Sequence, residues 1–162
     1  MNTRIRIVGA GIAGLTAAFS LQRAGFDCEI HERMGHLTRL GAGIVLAPNA
    51  VHLLSHLGVD LRTVGQPVVK VRVLDIGGRT IQESDFSRFA GTCSGALAFD
   101  RAELHEALLQ ALPSGIVRLG SPYRFEESPA GDSVLVGADG IYSAVRQHLL
   151  SSKRMSRMLN PL

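Results

Sequence analysis

Apolar positions change their period along this chain, and the changes mark its elements. Ile5 to Val8, interrupted only by Arg6, is a short apolar run of strand length that fits a buried parallel strand. From Ile12 the period lengthens. Ile12, Leu15, Ala18 and Phe19 share one helical face, while Thr16, Ser20 and Arg23 take the other. Gly25 stands where such a helix ends on a left-handed residue, and Asp27 to His31 returns to strand. The first 32 residues therefore predict one βαβ unit.

Further along, Gly41 to Leu46 is glycine-rich and extended. Pro48 suits the first turn of a helix that buries Val51, Leu54 and Leu57 and stops at Gly58. Val69 to Asp75 and Arg79 to Glu83 alternate as strands about an Ile76-Gly77-Gly78 turn. Asp100 and Glu103 have capping-box spacing ahead of a third helix, whose stripe is Leu104, Leu108, Ala111 and Leu112 and which Pro113 ends. Ile116 to Leu119 reads as a strand and Ser121 to Ser133 as a polar loop. Val134 to Val136 is a buried strand running into Gly137-Ala138-Asp139-Gly140, followed by a short helix from Ser143 to Leu150. No internal repeat is present. Alternating strands and helices with one hairpin predict an α/β fold. The expected organisation is one domain over 1–150 and a basic, flexible tail over 151–162.

Composition narrows the classes. A chain of 162 residues has the length of a single domain, and 46% hydrophobic against 19% charged residues excludes a solvating, disordered polymer. The net charge of +3 comes from 17 basic and 14 acidic residues, with only Lys70 and Lys153 as lysines. Arginines placed singly near glycine-rich turns suit phosphate or carboxylate better than nucleic acid, so no nucleic-acid partner is expected. Cys28 and Cys93 are too few for a disulfide framework and lack metal spacing. Arg4 and Arg6 before the apolar stretch Ile7 to Leu21 imitate a signal peptide, but Gly9, Gly11 and Gly14 interrupt it. No run reaches the 18 or so apolar residues of a membrane span. A cytoplasmic protein with no membrane partner is expected.

The chemistry sits in Gly9-Ala10-Gly11-Ile12-Ala13-Gly14, a G-x-G-x-x-G between the first strand and the first helix. Gly9 makes the tight turn, Gly11 lets a pyrophosphate approach the backbone, and Gly14 lets helix and strand pack closely. The helix start supplies free N–H groups and partial positive charge at Ile12 and Ala13. Glu32 follows Gly14 after 17 residues, at the end of the second strand, where a carboxylate can accept hydrogen bonds from an adenosine ribose. The pattern predicts a dinucleotide site and does not separate NAD from FAD.

Glu32-Arg33, the run Thr38-Arg39-Leu40-Gly41-Ala42-Gly43-Ile44 and Pro48-Asn49-Ala50 resemble the N-terminal region of single-component, class A FAD-dependent aromatic hydroxylases. Asp100-Arg101-Ala102-Glu103-Leu104 resembles that family's Arg-x-x-Leu helix start. Val136-Gly137-Ala138-Asp139-Gly140, with Ser143 and Arg146, resembles its Asp-Gly signature. The resemblance implies a Rossmann-like FAD-binding fold, FAD as cofactor and NAD(P)H as reductant. It implies FAD contacts at Arg33, Arg39, Gly43 and Arg101, and at Asp139 and Gly140 near the pyrophosphate. Two departures stand out: Ser121 to Ser133 is too short for the family's full β-meander, and no third, Gly-Asp signature follows Arg146. These departures read as a trimmed FAD-binding half, able to bind the ADP part of FAD without coupled hydroxylation. A catalytically silent dinucleotide scaffold and an NAD-dependent dehydrogenase fragment are the alternatives. Self-association through surface exposed by trimming is expected. His52 and His56, one helical turn apart, lack a third ligand and are read as a solvated face, so no metal is expected.

Overall fold

A computed structural model describes residues 4–36, 42–89, 95–125 and 133–151. In chain order it begins β1 (Arg4–Val8), α1 (Ile12–Arg23), β2 (Cys28–His31), β3 (Gly43–Leu46) and α2 (Pro48–Leu57). Next come β4 (Gln66–Val68), β5 (Lys70–Leu74), β6 (Thr80–Asp85), β7 (Ala96–Asp100) and α3 (Arg101–Gln110). The chain continues through β8 (Val117–Arg118), β9 (Ser133–Gly137) and α4 (Ala144–Ser151). These elements group into two compact units, Met1–Leu37 with Leu112–Leu162, and Thr38–Ala111. Of the tail that the sequence reads as flexible over 151–162, Ser151 ends α4 and residues 152–162 lie outside the described residues, as does Cys93.

The first unit is a four-stranded sheet in the order β8-β2-β1-β9, parallel at every pairing. Its register follows from side-chain alternation. Ile5 lies beside Cys28 and Ile7 beside Ile30, and all four are buried together with Leu15 and Ala18 of α1. Full burial of Ile7, Leu15 and Ile30 is worth roughly 1.5–3 kcal/mol per side chain, which ties α1 to the sheet. Cys28 is core, as its alternation predicts; burial first, and the charge of Asp27 second, push its thiol pKa up. Gly25 adopts φ +85° beyond the last turn of α1, the left-handed stop expected there.

In the second unit β3, β7 and β4 form an antiparallel sheet in the order β3-β7-β4, and β5 pairs with β6 as a separate hairpin. The hairpin and the α2 stop at Gly58, φ +90°, match the sequence pattern. The strands β4 and β7 were not legible in it. β4 is only three residues long and carries Pro67, which an edge position tolerates, and β7 reads ALAFD, without polar alternation. The capping-box spacing is realised by half: the Asp100 carboxylate accepts from the Ala102 N–H at 2.7 Å. The α3 stripe is as expected, with Leu104 and Leu108 fully buried.

Candidate functional site

The C-terminal ends of β1, β2 and β9 converge in the first unit, and each carries one predicted motif. β1 pairs with β2 on one side and β9 on the other, so the strand order reverses at it, the place where open α/β sheets bind ligands. Pairing runs one step past the strands: the Gly9 N–H donates to the His31 carbonyl and the Ala138 N–H to the Val8 carbonyl, both at 2.8 Å.

The glycines differ in what they do. Gly9 has φ +101°, and a Cβ there would lie 2.5 Å from the Ala138 carbonyl oxygen, so the turn and the Asp-Gly segment touch backbone to backbone. A Cβ on Gly14 would collide with the Gly9 carbonyl, which is how α1 approaches the turn so closely. At Gly11 the backbone is ordinary, φ −73° and ψ 177°, and a Cβ would meet nothing within 4 Å. Its lack of a side chain keeps open the space in front of α1. The amides of Ile12, Ala13 and Gly14 precede the first intrahelical bond, from Leu15 N–H to the Gly11 carbonyl, and no side chain caps this helix. Open approach, uncapped amides and the absence of acidic residues in the first turn fit an anionic diphosphate.

Glu32 sits at the end of β2, where its backbone is fixed by bonds to Arg118 and Ser121. Its Oε2 accepts from the Ala10 N–H at 2.8 Å and its Oε1 from the Met34 N–H at 2.9 Å. A carboxylate has about four lone-pair sites, so these two bonds leave capacity for ribose hydroxyls. They also show a second role: Glu32 braces the glycine turn. Arg33 follows it, exposed, on the cavity wall.

Asp139 points both oxygens at the start of α4. Oδ1 accepts from the Ser143 hydroxyl at 2.5 Å, and Oδ2 accepts from the Ala144 and Val145 amides at 2.6 and 3.2 Å. Burial alone would raise its pKa, but the Ser143 hydroxyl and the backbone amides together hold it below the usual carboxylate range. Its carboxylate is occupied by capping, so it shapes the site by fixing the loop. Gly140, φ +82°, completes that bend. Ser143 Oγ also accepts from the Arg146 N–H at 3.0 Å, and the Arg146 guanidinium closes back on the Ile141 carbonyl. Ser143 and Arg146 therefore build the turn.

Gly9, Gly11, Glu32, Arg33, Asp139 and Gly140 all line one cavity of about 340 Å³. Ile12, Ala13 and Gly14 stand behind it as the first turn of α1. Gly43 and Arg101 come together in the second unit instead: Gly43 pairs with Asp100, and the Arg101 N–H donates to the Ala42 carbonyl at 3.0 Å. Arg39 lies outside the described residues.

Sequence reasoning missed the aromatic wall. Tyr123, Phe125 and Tyr142 line the same cavity, and Tyr123 stands edge-on to both His31 and Phe125 at centroid distances of 5.2 and 5.3 Å. Phe125 stacks on His148 at 4.2 Å. The signal was present: the chain has two tyrosines, and both lie here. Among the described residues no group of three or more metal-ligating side chains occurs, and no helix is long and apolar enough to cross a membrane.

Comparison with known proteins is consistent with this geometry. The 3-amino-4-hydroxybenzoate 2-monooxygenase PtmB3 of Streptomyces platensis is 34% identical over 169 residues, covering 93% of this chain and 42% of that protein. The 3-hydroxybenzoate 6-hydroxylase 1 of Aquipseudomonas alcaligenes is 35% identical over 93% of this chain and 43% of its own length. Among solved structures, Klebsiella pneumoniae HpxO complexed with FAD and uric acid superposes with a TM-score of 0.72 at 26% identity, over 90% of this chain and 41% of that one. The chain thus spans about two fifths of the length of the relatives it matches. The FAD binding domain family matches residues 2–114, and the chain belongs to that family.

Proposed function

We propose that residues 1–150 act as the FAD-binding domain of a flavin-dependent aromatic-ring monooxygenase, holding chiefly the ADP end of the cofactor. The observation that carries this reading is that the glycine turn, Glu32 and the Asp139-Gly140 bend line one cavity at the switch point of a parallel sheet. The uncapped amides at Ile12 and Ala13 donate to the diphosphate, Gly11 gives it room, and Glu32 accepts from the ribose hydroxyls. Gly43 and Arg101, adjacent in the second unit, are further contacts, as is Arg39. Bound FAD supplies the redox chemistry, with NAD(P)H as reductant and oxygen as co-substrate. This chain's residues bind, orient and brace.

By itself the chain binds FAD without coupled hydroxylation. The first unit's motifs address the ADP half of the cofactor, whereas coupled hydroxylation also needs a dry site that holds an aromatic ring at attack distance. The test is incubation with FAD, NADPH and a panel of hydroxybenzoates and hydroxypyridines, followed by mass spectrometry. Slow NADPH oxidation yielding hydrogen peroxide is expected, with no hydroxylated product. A dihydroxylated product formed over many turnovers would overturn this part of the reading.

A further inference from the structure

Strand order decides which side of the dinucleotide cavity receives the base. The order across the first unit's sheet is β8-β2-β1-β9. The diphosphate site is the start of α1, directly after β1, and the ribose acceptor Glu32 stands one strand along, at the end of β2. A dinucleotide that runs from α1 to Glu32 continues in that direction, so its base falls on the β8 side. The segment following β8 is tied there by backbone: the Ser121 N–H donates to the Glu32 carbonyl and the Gly120 N–H to the Met34 carbonyl, both at 2.8 Å. Tyr123 comes two residues after Ser121 and lines the cavity together with Phe125. Tyr142 lines it from the other flank, after β9, with β1 between it and Glu32.

The rings on the β8 side are placed in advance. Tyr123 meets His31 and Phe125 edge to face, and Phe125 in turn lies flat on His148 of α4, with 12° between the ring planes. His31 is itself fixed: its Nδ1 lies 3.2 Å from the Ser121 hydroxyl and its Nε2 3.3 Å from Glu29 Oε1. The buried Glu29 carboxylate also pairs with Arg4, Arg6 and Arg118, so the support of Tyr123 reaches three strands. Tyr123 is nevertheless only half-buried, with part of its surface on the cavity. A ring fixed before the ligand arrives loses little freedom on binding, and a flat apolar base needs such a ring to leave water.

We propose that Tyr123, backed by Phe125, is the face on which the adenine of the bound dinucleotide stacks, and that Tyr142 is not. The inference rests on the ADP reading of this cavity and adds to it the residue that holds the base. Glu32 and the α1 amides then fix the ribose and the diphosphate, while Tyr123 fixes the end of the ligand that carries no charge.

The chain has two tyrosines and no tryptophan, so its tyrosine emission reports on Tyr123 and Tyr142 alone. The test is titration of the whole chain with ADP, read by calorimetry for affinity and by tyrosine emission for ring contact, on the parent, Tyr123→Ala and Tyr123→Phe. The parent is expected to bind ADP with quenching of its emission. Tyr123→Ala should bind ADP about five- to 150-fold more weakly, the range found for loss of one base–aromatic stack. Tyr123→Phe keeps a ring and should keep the parent's affinity while losing the quenching. Quenching that persists in Tyr123→Phe would give the contact to Tyr142 and overturn the proposal. So would parent-like affinity in a folded Tyr123→Ala; should that variant fold poorly, the emission of Tyr123→Phe decides. ADP bound by the parent without quenching would overturn the proposal and leave the ADP reading standing, whereas no ADP binding at all would overturn both.

Discussion

Gly11→Ala separates what the glycine turn does for the fold from what it does for the ligand. The backbone at Gly11 is extended, and a Cβ there meets no atom within 4 Å, so the folded protein accommodates it. The remaining folding cost is the poorer helix N-cap, about 0.5–1 kcal/mol. For a bound diphosphate the same methyl group stands in the approach path. Losing one charge-assisted hydrogen bond costs about 1.5–3 kcal/mol, or roughly ten- to 150-fold in Kd. Gly14→Ala is the opposite case: its Cβ collides with the Gly9 carbonyl, and overpacking of this kind costs about 3 kcal/mol of stability. Thermal melts paired with titration of FAD by fluorescence quenching read both quantities. Gly11→Ala is expected to melt close to the parent and bind FAD at least tenfold more weakly. Parent-like affinity in a folded Gly11→Ala variant would refute the placement of the diphosphate at this turn.

Glu32→Ala should weaken FAD by about 1.5–3 kcal/mol and also destabilise the turn, because it frees the Ala10 and Met34 amides; Glu32→Gln, which keeps one acceptor, should fall between in both titration and melt. Glu29 and Asp139 both have pKa values lowered in the fold, since bonds and neighbouring cations outweigh the burial that would raise them. Their stabilisation is therefore complete above the ordinary values of 4.5 and 3.8 and is lost as pH falls through the lower folded values. Melts from pH 6 down to about pH 3 should show that decline beginning near pH 4.5, and Glu29→Gln should flatten it. The β5–β6 hairpin exposes Val71, Val73, Ile76 and Ile81, so self-association is expected at high micromolar concentration; Val71→Thr with Val73→Thr should suppress it in sedimentation, and a strictly monomeric parent would remove the idea.

Much of this arrangement was legible because local pattern and fold agree. The β1–α1–β2 unit, the Gly25 and Gly58 stops, the α3 stripe and the hairpin follow from periods and punctuation that no distant contact overrides. The strands β4 and β7 were hidden because their signal is tertiary: Pro67 is tolerated only at an edge, and Ala96 to Phe99 reads equally as helix. At the site, the glycine spacing and Glu32 carried the reading, since the glycines act through the backbone at fixed positions and Glu32 through a carboxylate at the end of β2. The role of Asp139 was less accessible, because a carboxylate before a helix can cap it or face a ligand, and only the Ser143, Ala144 and Val145 bonds decide. The aromatic wall and the Glu29 cluster depend on which strands become neighbours, a fact that spacing within one segment does not contain.

The most direct measurement is calorimetric titration of the purified chain with FAD, ADP and NAD in parallel. Saturable binding of one FAD per chain, displaced by ADP and tighter than binding of NAD, is the predicted result. A chain that leaves FAD unbound, or whose bound FAD is not displaced by ADP, would contradict the assignment of the Gly9–Gly14 turn and Glu32 to the ADP half of a flavin cofactor.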